Sequence, residues 1–222
     1  MRILAVGAHP DDIECCCAGT LAKYVARGDQ VFAAVCTNGE LGSVVIAPAD
    51  LPPIREAEAR EGAALYGAEL WWMGEPDGFL WFNADTWRTM RDIFDWAQPD
   101  VIFSHGPEGY HSDHRTASEL VRAVWGERRP LTGGGPALFY MDAEAGVDFV
   151  PSLYVDITET IDIKLGALAC HRSQLDWIPA HDGLDLVDKR RVGTHVRGQE
   201  CGAEYAECFC PALPDEGADL LP

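Results

Sequence analysis

Apolar and polar positions along the chain follow two different spacings. Continuous apolar runs, Ile3-Leu4-Ala5-Val6-Gly7, Val31-Phe32-Ala33-Ala34-Val35-Cys36 and Val101-Ile102-Phe103-Ser104, are separated by longer stretches whose apolar residues recur at helical spacing. Runs of that kind are what a parallel sheet buries on both faces. The pattern predicts strands over 2–7, 31–36, 69–73, 99–105, 138–141 and 152–155. Helices are expected over 14–27, closed by Gly28, over 52–65, with proline at the start, and over 85–97, begun by Asp85 or Ala84. Further helices are expected through 117–125, from a cap at Asp156-Ile157-Thr158 to His171, and over 185–206, with a Pro/Gly-rich break at 130–136. Trp87, Met90, Ile93, Phe94 and Trp96 mark apolar faces and read as core. Strands alternating with helices predict an α/β fold: a doubly wound, Rossmann-like, mostly parallel sheet flanked by helices. One domain over 1–222 is expected, with roughly the last dozen residues a tail.

Composition narrows the classes. A chain of 222 residues is long enough for one such domain, and no repeat or low-complexity linker argues for two. Apolar residues make up 47%, but no continuous apolar stretch has membrane-spanning length. The first residues enter a strand rather than a secretory signal, so the expectation is a soluble, cytoplasmic protein with no membrane partner. The 36 acidic residues outnumber the 17 basic ones, for a net charge of −19. That balance argues against nucleic acid or an anionic membrane as partner and favours a small uncharged or cationic substrate. Homo-oligomerisation is compatible with the sequence. The eight cysteines, in a chain neither short nor signalled for export, do not read as a disulfide framework. Cys15-Cys16-Cys17 reads as small buried filling. Cys208-Phe209-Cys210 is too tightly spaced for a zinc knuckle and lacks a second pair, so it reads as incidental.

Two polar clusters carry the chemistry. His9-Pro10-Asp11-Asp12-Ile13-Glu14 follows the first apolar run, and Tyr110-His111-Ser112-Asp113-His114 follows the run at 101–104. Pro10 disfavours helix at His9, so the chain turns there. The carboxyl end of a buried strand is where open α/β sheets keep ligands. His9 with Asp12, and His111 with His114, are each three apart, a spacing that puts both members on one side. Two imidazole nitrogens and one carboxylate, with a fourth position left to water, is the donor set of a catalytic zinc, and a carboxylate left over beside it would be the base. A helix-start turn and a solvated histidine face are the bland alternatives, each common singly; their joint occurrence after two strands favours a site.

Together these motifs resemble the PIG-L (LmbE-like) family of zinc-dependent N-deacetylases. Weaker similarities continue in Thr37-Asn38-Gly39-Glu40, Arg55 with Glu58 ahead of Leu65-Tyr66-Gly67-Ala68, Lys164 through His171-Arg172-Ser173-Gln174, and Arg197-Gly198 ahead of Tyr205-Ala206-Glu207. The resemblance implies Zn2+ held by His9, Asp12 and His114, with Asp11 as general base and His111 assisting the transition state. Protonated His111, oriented by Asp113, would meet the oxyanion. The implied reaction is hydrolysis of an N-acetyl group on a small amino-sugar conjugate. The alternatives are a zinc amidase acting on a non-acetyl amide, such as a thiol conjugate or peptide-like amide, and a catalytically silent zinc-binding module. The family also implies substrate contact by Arg55, against a surface salt bridge to Glu58 or Glu61. Tyr110 immediately precedes the trailing motif, whereas several members acting on amino-sugar conjugates place a tyrosine two residues before it.

Other candidates come from the loops. Glu40 is either pocket rim or a solvated acid, and Asp77 either accepts sugar hydroxyls or completes an Asp-Gly turn. His105, at a strand end, reads either as a supporting partner of the metal site or, preferably, as hydrogen-bonded core. Pocket shape is expected from the loops at 39–53, 74–84 and 176–184, where Trp81, Phe82 and Trp177 could stack on a sugar ring.

Overall fold

The computed structural model describes residues 1–130, 134–142, 149–214 and 217–222; the break expected at 130–136 thus falls partly outside the described residues. In chain order the elements are β1 (Arg2–Gly7), α1 (Asp12–Cys16), α2 (Ala18–Ala26), β2 (Gln30–Thr37), α3 (Leu51–Leu65), β3 (Ala68–Glu75), α4 (Ala84–Ala97) and β4 (Val101–Ser104). There follow α5 (Ser112–Glu127), β5 (Ala137–Met141), β6 (Leu153–Asp156), α6 (Ile161–Leu168), α7 (Arg172–Leu175), α8 (Ile178–Asp182), α9 (Leu186–Cys201), β7 (Ala206–Pro211) and a 3-10 turn at Ala218–Leu220.

The strands form one sheet in the order β3-β2-β1-β4-β5-β7-β6. Alternate residues of the central strands feed two cores, one on each face. Ile3 and Ala5 pack with Leu21, Tyr24 and Phe103, while Leu4 and Val6 pack with Met90, Ile93, Leu120 and Val121. This is a single α/β domain with helices on both sides of a mostly parallel sheet. The strand order runs outward in opposite directions from β1 and β4, which pair in parallel through Ile3↔Val101 to Ala5↔Phe103. Their carboxyl ends therefore flank the crevice where such folds bind ligands. Among the described residues no helix is long and apolar enough to cross a membrane.

Several elements depart from the pattern-based expectation. The helix expected over 14–27 is broken at Cys17 (φ −146°) into α1 and α2. The break is held from far along the chain, by the Glu207 carboxylate accepting the N–H groups of Gly19 (3.0 Å) and Thr20 (2.7 Å). Helix α4 is capped by Asn83, in a capping box with Thr86, rather than by Asp85 or Ala84. The helix expected from Asp156 to His171 runs only from Ile161 to Leu168, and the hydroxyl of its N-cap residue Thr160 donates to Gly19 O instead of capping. The last helix stops at Cys201, and 206–211 is a strand, β7, antiparallel to both β5 and β6. Cys208 and Phe209 lie in that strand and are buried, so this motif is sheet core. At the end of the chain Leu220 and Leu221 pack against the core, and Tyr24 Oη donates to Leu220 O.

One buried ion pair ties these parts together. Lys164 on α6 is fully buried, its Nζ 2.6 Å from Glu207 Oε1 and donating to Glu14 O (3.0 Å) and Cys15 O (2.8 Å). The carbonyl end of α1 is thus pinned to α6 and β7.

Candidate active site

The loop after β1 is clamped before it does any chemistry. Ala8 O accepts from both the backbone N–H and the hydroxyl of Thr37. His9 N–H donates to Asp12 Oδ2 at 2.7 Å, closing the turn around Pro10. Asp11, between them, sits at φ 105°, a left-handed conformation that costs a non-glycine residue roughly 1–3 kcal/mol and is found where function requires it. The kink sends adjacent carboxylates in different directions.

Three donor side chains from β1's loop, α1 and α5 converge. His9 Nδ1 is 3.2 Å from His114 Nε2 and 3.5 Å from Asp12 Oδ2, and His114 Nε2 is 3.4 Å from Asp12 Oδ1. Ligands bonded at ~2.1 Å around one tetrahedral ion stand ~3.4 Å apart, so these residues fit a metal without rearrangement. A second grouping, His9 with His111 and Asp113, also lies within ligand range. Its carboxylate is already engaged, however: Asp113 accepts from Gly78 N (2.7 Å) and Leu80 N (3.2 Å).

The charges around it are polarised. Burial disfavours a charged His9, yet Asp113, Asp12 and Asp77 outweigh it and push the imidazole up to about 12. Carboxylates that hold a proton so firmly would hold a cation in its place. Burial raises Asp11, with Arg55 and His171 offsetting it only partly. Burial would raise Asp12 too, but His114 and His105 hold it well below the usual carboxylate range.

His111 caps α5, its Nδ1 accepting the Asp113 N–H at 3.2 Å, which leaves the ring proton on Nε2. Burial, then the charge of His9, lower its pKa. The ring is thus oriented by the Asp113 backbone N–H rather than by the Asp113 carboxylate, whose Oδ2 lies 3.2 Å from His9 Nε2.

The cavity beside these groups has a volume of about 590 Å³, and all three expected loops contribute, through Leu41 and Gly42, Asp77 and Gly78, and Ile178 and Leu184. Arg55 lines it but is spent inward: its guanidinium donates to Pro10 O, Gly39 O (3.3 Å) and Asp11 Oδ2 (3.2 Å). A side chain at Gly39 or Gly42 would run into that guanidinium. The salt bridge to Glu58 or Glu61 does not form; Glu58 accepts from Ser173, and Glu61 pairs with Arg172. Asp77 is buried, with Oδ1 3.3 Å from His9 Nε2 and Oδ2 accepting from Leu41 N. Tyr110 lies at the mouth, its ring 5.1 Å from that of His114. Glu40, Trp81, Phe82 and Trp177 are not part of the cavity wall.

Residue-type reasoning undervalued two buried histidines. His105 stacks on His114 at 3.9 Å, and its Nε2 sits between Ala8 N (3.0 Å) and Asp12 Oδ2 (3.1 Å). The available signal was its place at the strand end beside the crevice. His171 stands 3.4 Å from Glu14 Oε2, whose other oxygen accepts from Tyr66 Oη at 2.9 Å, and nothing local in the sequence announces that trio. Cys16 and Cys17 are buried, and burial raises both thiols well above their ordinary value.

The family described as PIG-L, GlcNAc-PI de-N-acetylase, matches residues 4–125, more than half of the chain. One similar relative is a 1D-myo-inositol 2-acetamido-2-deoxy-alpha-D-glucopyranoside deacetylase of Mycobacterium sp. strain JLS, 28% identical, covering 90% of this chain and 82% of that one. Among solved structures, a conserved protein of Thermus thermophilus is 30% identical with a TM-score of 0.80, covering 96% of each chain. The N,N'-diacetylchitobiose deacetylase of Pyrococcus horikoshii, 23% identical, has the same fold at a TM-score of 0.80, covering 99% of this chain and 88% of that one.

Proposed function

The chain belongs to the PIG-L family of de-N-acetylases, and on that premise we propose that it removes the N-acetyl group from a small amino-sugar conjugate by zinc-dependent hydrolysis. The observation carrying this reading is the 3.2–3.5 Å spacing of the His9, Asp12 and His114 donor atoms, beside a carboxyl, Asp11, whose pKa is raised. His9, Asp12 and His114 would hold the ion. When bound, zinc supplies an acidified water and polarises the acetamide carbonyl.

The remaining steps belong to the chain's own side chains. Asp11 takes the proton of the attacking water and delivers it to the departing amine; a carboxyl raised by burial can both accept and return a proton near neutral pH. Arg55 holds that carboxylate in place from behind. His111 presents Nε2–H to the oxyanion that develops on the carbonyl oxygen, a contribution of ~3 kcal/mol for a donor of this kind. Asp77 and Asp113 fix the His9 ring from its far side, a role that outer carboxylates commonly play for ligating imidazoles. Tyr110 at the mouth, and Asp77 in the wall through lone pairs not given to His9 and Leu41 N, would meet sugar hydroxyls.

The test is acetate release from N-acetylglucosamine, its oligomers and its glycosides, each with and without chelator. Chelator-sensitive release is expected. Activity surviving complete metal removal refutes the mechanism. Activity confined to non-acetyl amides keeps the chemistry and overturns the substrate class, and stoichiometric zinc without any turnover means a silent binding module.

A further inference from the structure

Helix α3 holds the active site at two places, one turn apart. Arg55, Glu58 and Gly62 recur at i, i+3 and i+7 and are all buried, so they form one stripe down the helix. Arg55 serves the reacting end through Pro10 O and Asp11. Glu58 serves the cavity wall: its Oε1 accepts the Ser173 N–H at 2.8 Å and its Oε2 accepts the Ser173 hydroxyl at 2.6 Å. The next residue, Gln174, lines the cavity together with Ile178 of α8, and its Nε2 lies 3.5 Å from the same Ser173 oxygen. At Gly62 the stripe runs so close to the corner between α6 and α7 that a Cβ would stand 3.1 Å from Ala167 O and 3.5 Å from His171 Nε2. Helices α7 and α8 have four and five residues, too few to hold themselves in place, so their position depends on what they are tied to. A second tie between α3 and α7, Arg172 to Glu61, is exposed on both sides and contributes little. Glu58 and Ser173 are buried, where a donor that loses its acceptor is costly. No step of the hydrolysis uses Glu58.

We propose that Glu58 is a positioning residue: through Ser173 it fixes the wall that Gln174 and Ile178 present to the cavity, and so sets how substrates are ranked by what is attached to the amino sugar. This rests on the deacetylase reading above. The acetamide faces His9, Asp12 and His114, and Asp11 is held by Arg55 through bonds that do not involve Glu58. Releasing the wall therefore weakens the grip on the attached group and spares the chemical step. Binding contacts depend on walls held to about 0.5 Å by such supporting bonds.

The experiment uses the zinc-loaded full chain and compares Glu58→Leu, Glu58→Gln, Ser173→Ala and, on the exposed tie, Glu61→Gln. Hydrogen exchange should run at least about tenfold faster over 172–180 in Glu58→Leu, with the peptides of β1 and α5 unchanged. Acetate release is followed on N-acetylglucosamine and on its disaccharide. In Glu58→Leu the KM for the disaccharide should rise about tenfold more than that for the monosaccharide, with kcat on both within about twofold. Glu58→Gln, which keeps an acceptor for the Ser173 N–H, should recover most of the loss. Ser173→Ala, which removes only the hydroxyl bond, should fall between, and Glu61→Gln should change nothing. Calorimetry with glucosamine and its disaccharide, which carry no acetyl group, repeats the comparison without turnover. Unchanged exchange in Glu58→Leu, equal losses on the two sugars, or a fall in kcat at constant KM overturns the proposal. If Glu58→Leu does not fold, Ser173→Ala decides by the same criteria. Faster exchange with a shifted affinity ratio but no acetate release in the unaltered chain keeps the anchor and sinks the deacetylase reading, and release with a ratio unchanged in the variants does the reverse.

Discussion

Replacing Glu207 by Gln should destabilise the fold far more than loss of one surface charge would. Glu207 is buried on β7, and its two oxygens serve Lys164 Nζ, Gly19 N and Thr20 N. An amide of the same shape leaves the fully buried Lys164 ammonium without a counter-charge, and turns an N–H pair toward donors. Breaking a buried pair by removing one partner costs about 3–5 kcal/mol. For a chain of this size each kcal/mol lowers the melting temperature by about 2–4 °C, so the expected fall is roughly 6–20 °C. Scanning calorimetry with zinc bound and with zinc chelated measures it, and urea unfolding gives the free energy independently. Lys164→Met with Glu207→Gln should restore part of the loss, with a coupling energy of about 2 kcal/mol. A loss below about 1 kcal/mol for Glu207→Gln, or strict additivity in the double variant, would show that Lys164 reaches solvent or another anion and that the pair does not clamp α1.

Three further outcomes are expected. Elemental analysis should find one zinc per chain, absent from a His9→Ala, His114→Ala double variant; full occupancy there refutes the donor set. Asp11→Asn should keep the metal while turnover falls by at least ~100-fold, and loss of the metal instead would mean that Asp11 and Asp12 have exchanged roles. For His171, burial opposes charge but Glu14 and then Asp11 outweigh it, raising the folded pKa above the unfolded value of about 6.5. Its stabilisation is therefore complete below that pH and fades as pH rises through the folded value. The stability gap between the natural chain and His171→Asn, read by urea unfolding, should narrow on going from pH 6 to pH 9, and a gap that widens contradicts the assignment.

What could be read from residues alone divides along physical lines. Strands β1, β2 and β4 were legible because both faces are buried, which leaves an uninterrupted apolar run. Strand β7 was not: Glu207 stands in it, and only the distant Lys164 makes a buried carboxylate there tolerable. The break at Cys17 was hidden for the same reason, since the group that holds it lies at the other end of the chain. In the site, the spacing of His9 and Asp12 and of His111 and His114 announced two clusters facing one crevice. Which partner each side chain chooses depends on how closely separate loops approach. Hence Arg55 turned to Asp11, the Asp113 carboxylate to His9, and His111 to a backbone N–H, none of which has a local signature.

The position of β7 also bears on the order in which the molecule can assemble. Strand β6 precedes β7 in the chain, yet its only strand neighbour among the described residues is β7, which separates it from β5. While the chain is being made, β1 to β5 can zip into a parallel half-sheet, but β6 stays a loose strand until the later segment slots in antiparallel. Closure over such long sequence separations is slow, and a waiting strand edge invites pairing with another chain. Because Glu207 arrives on that segment, the carbonyl end of α1, the helix that begins at Asp12, receives its anchor in the same late event. Refolding should therefore show metal affinity appearing only with the final phase, after most of the sheet has formed.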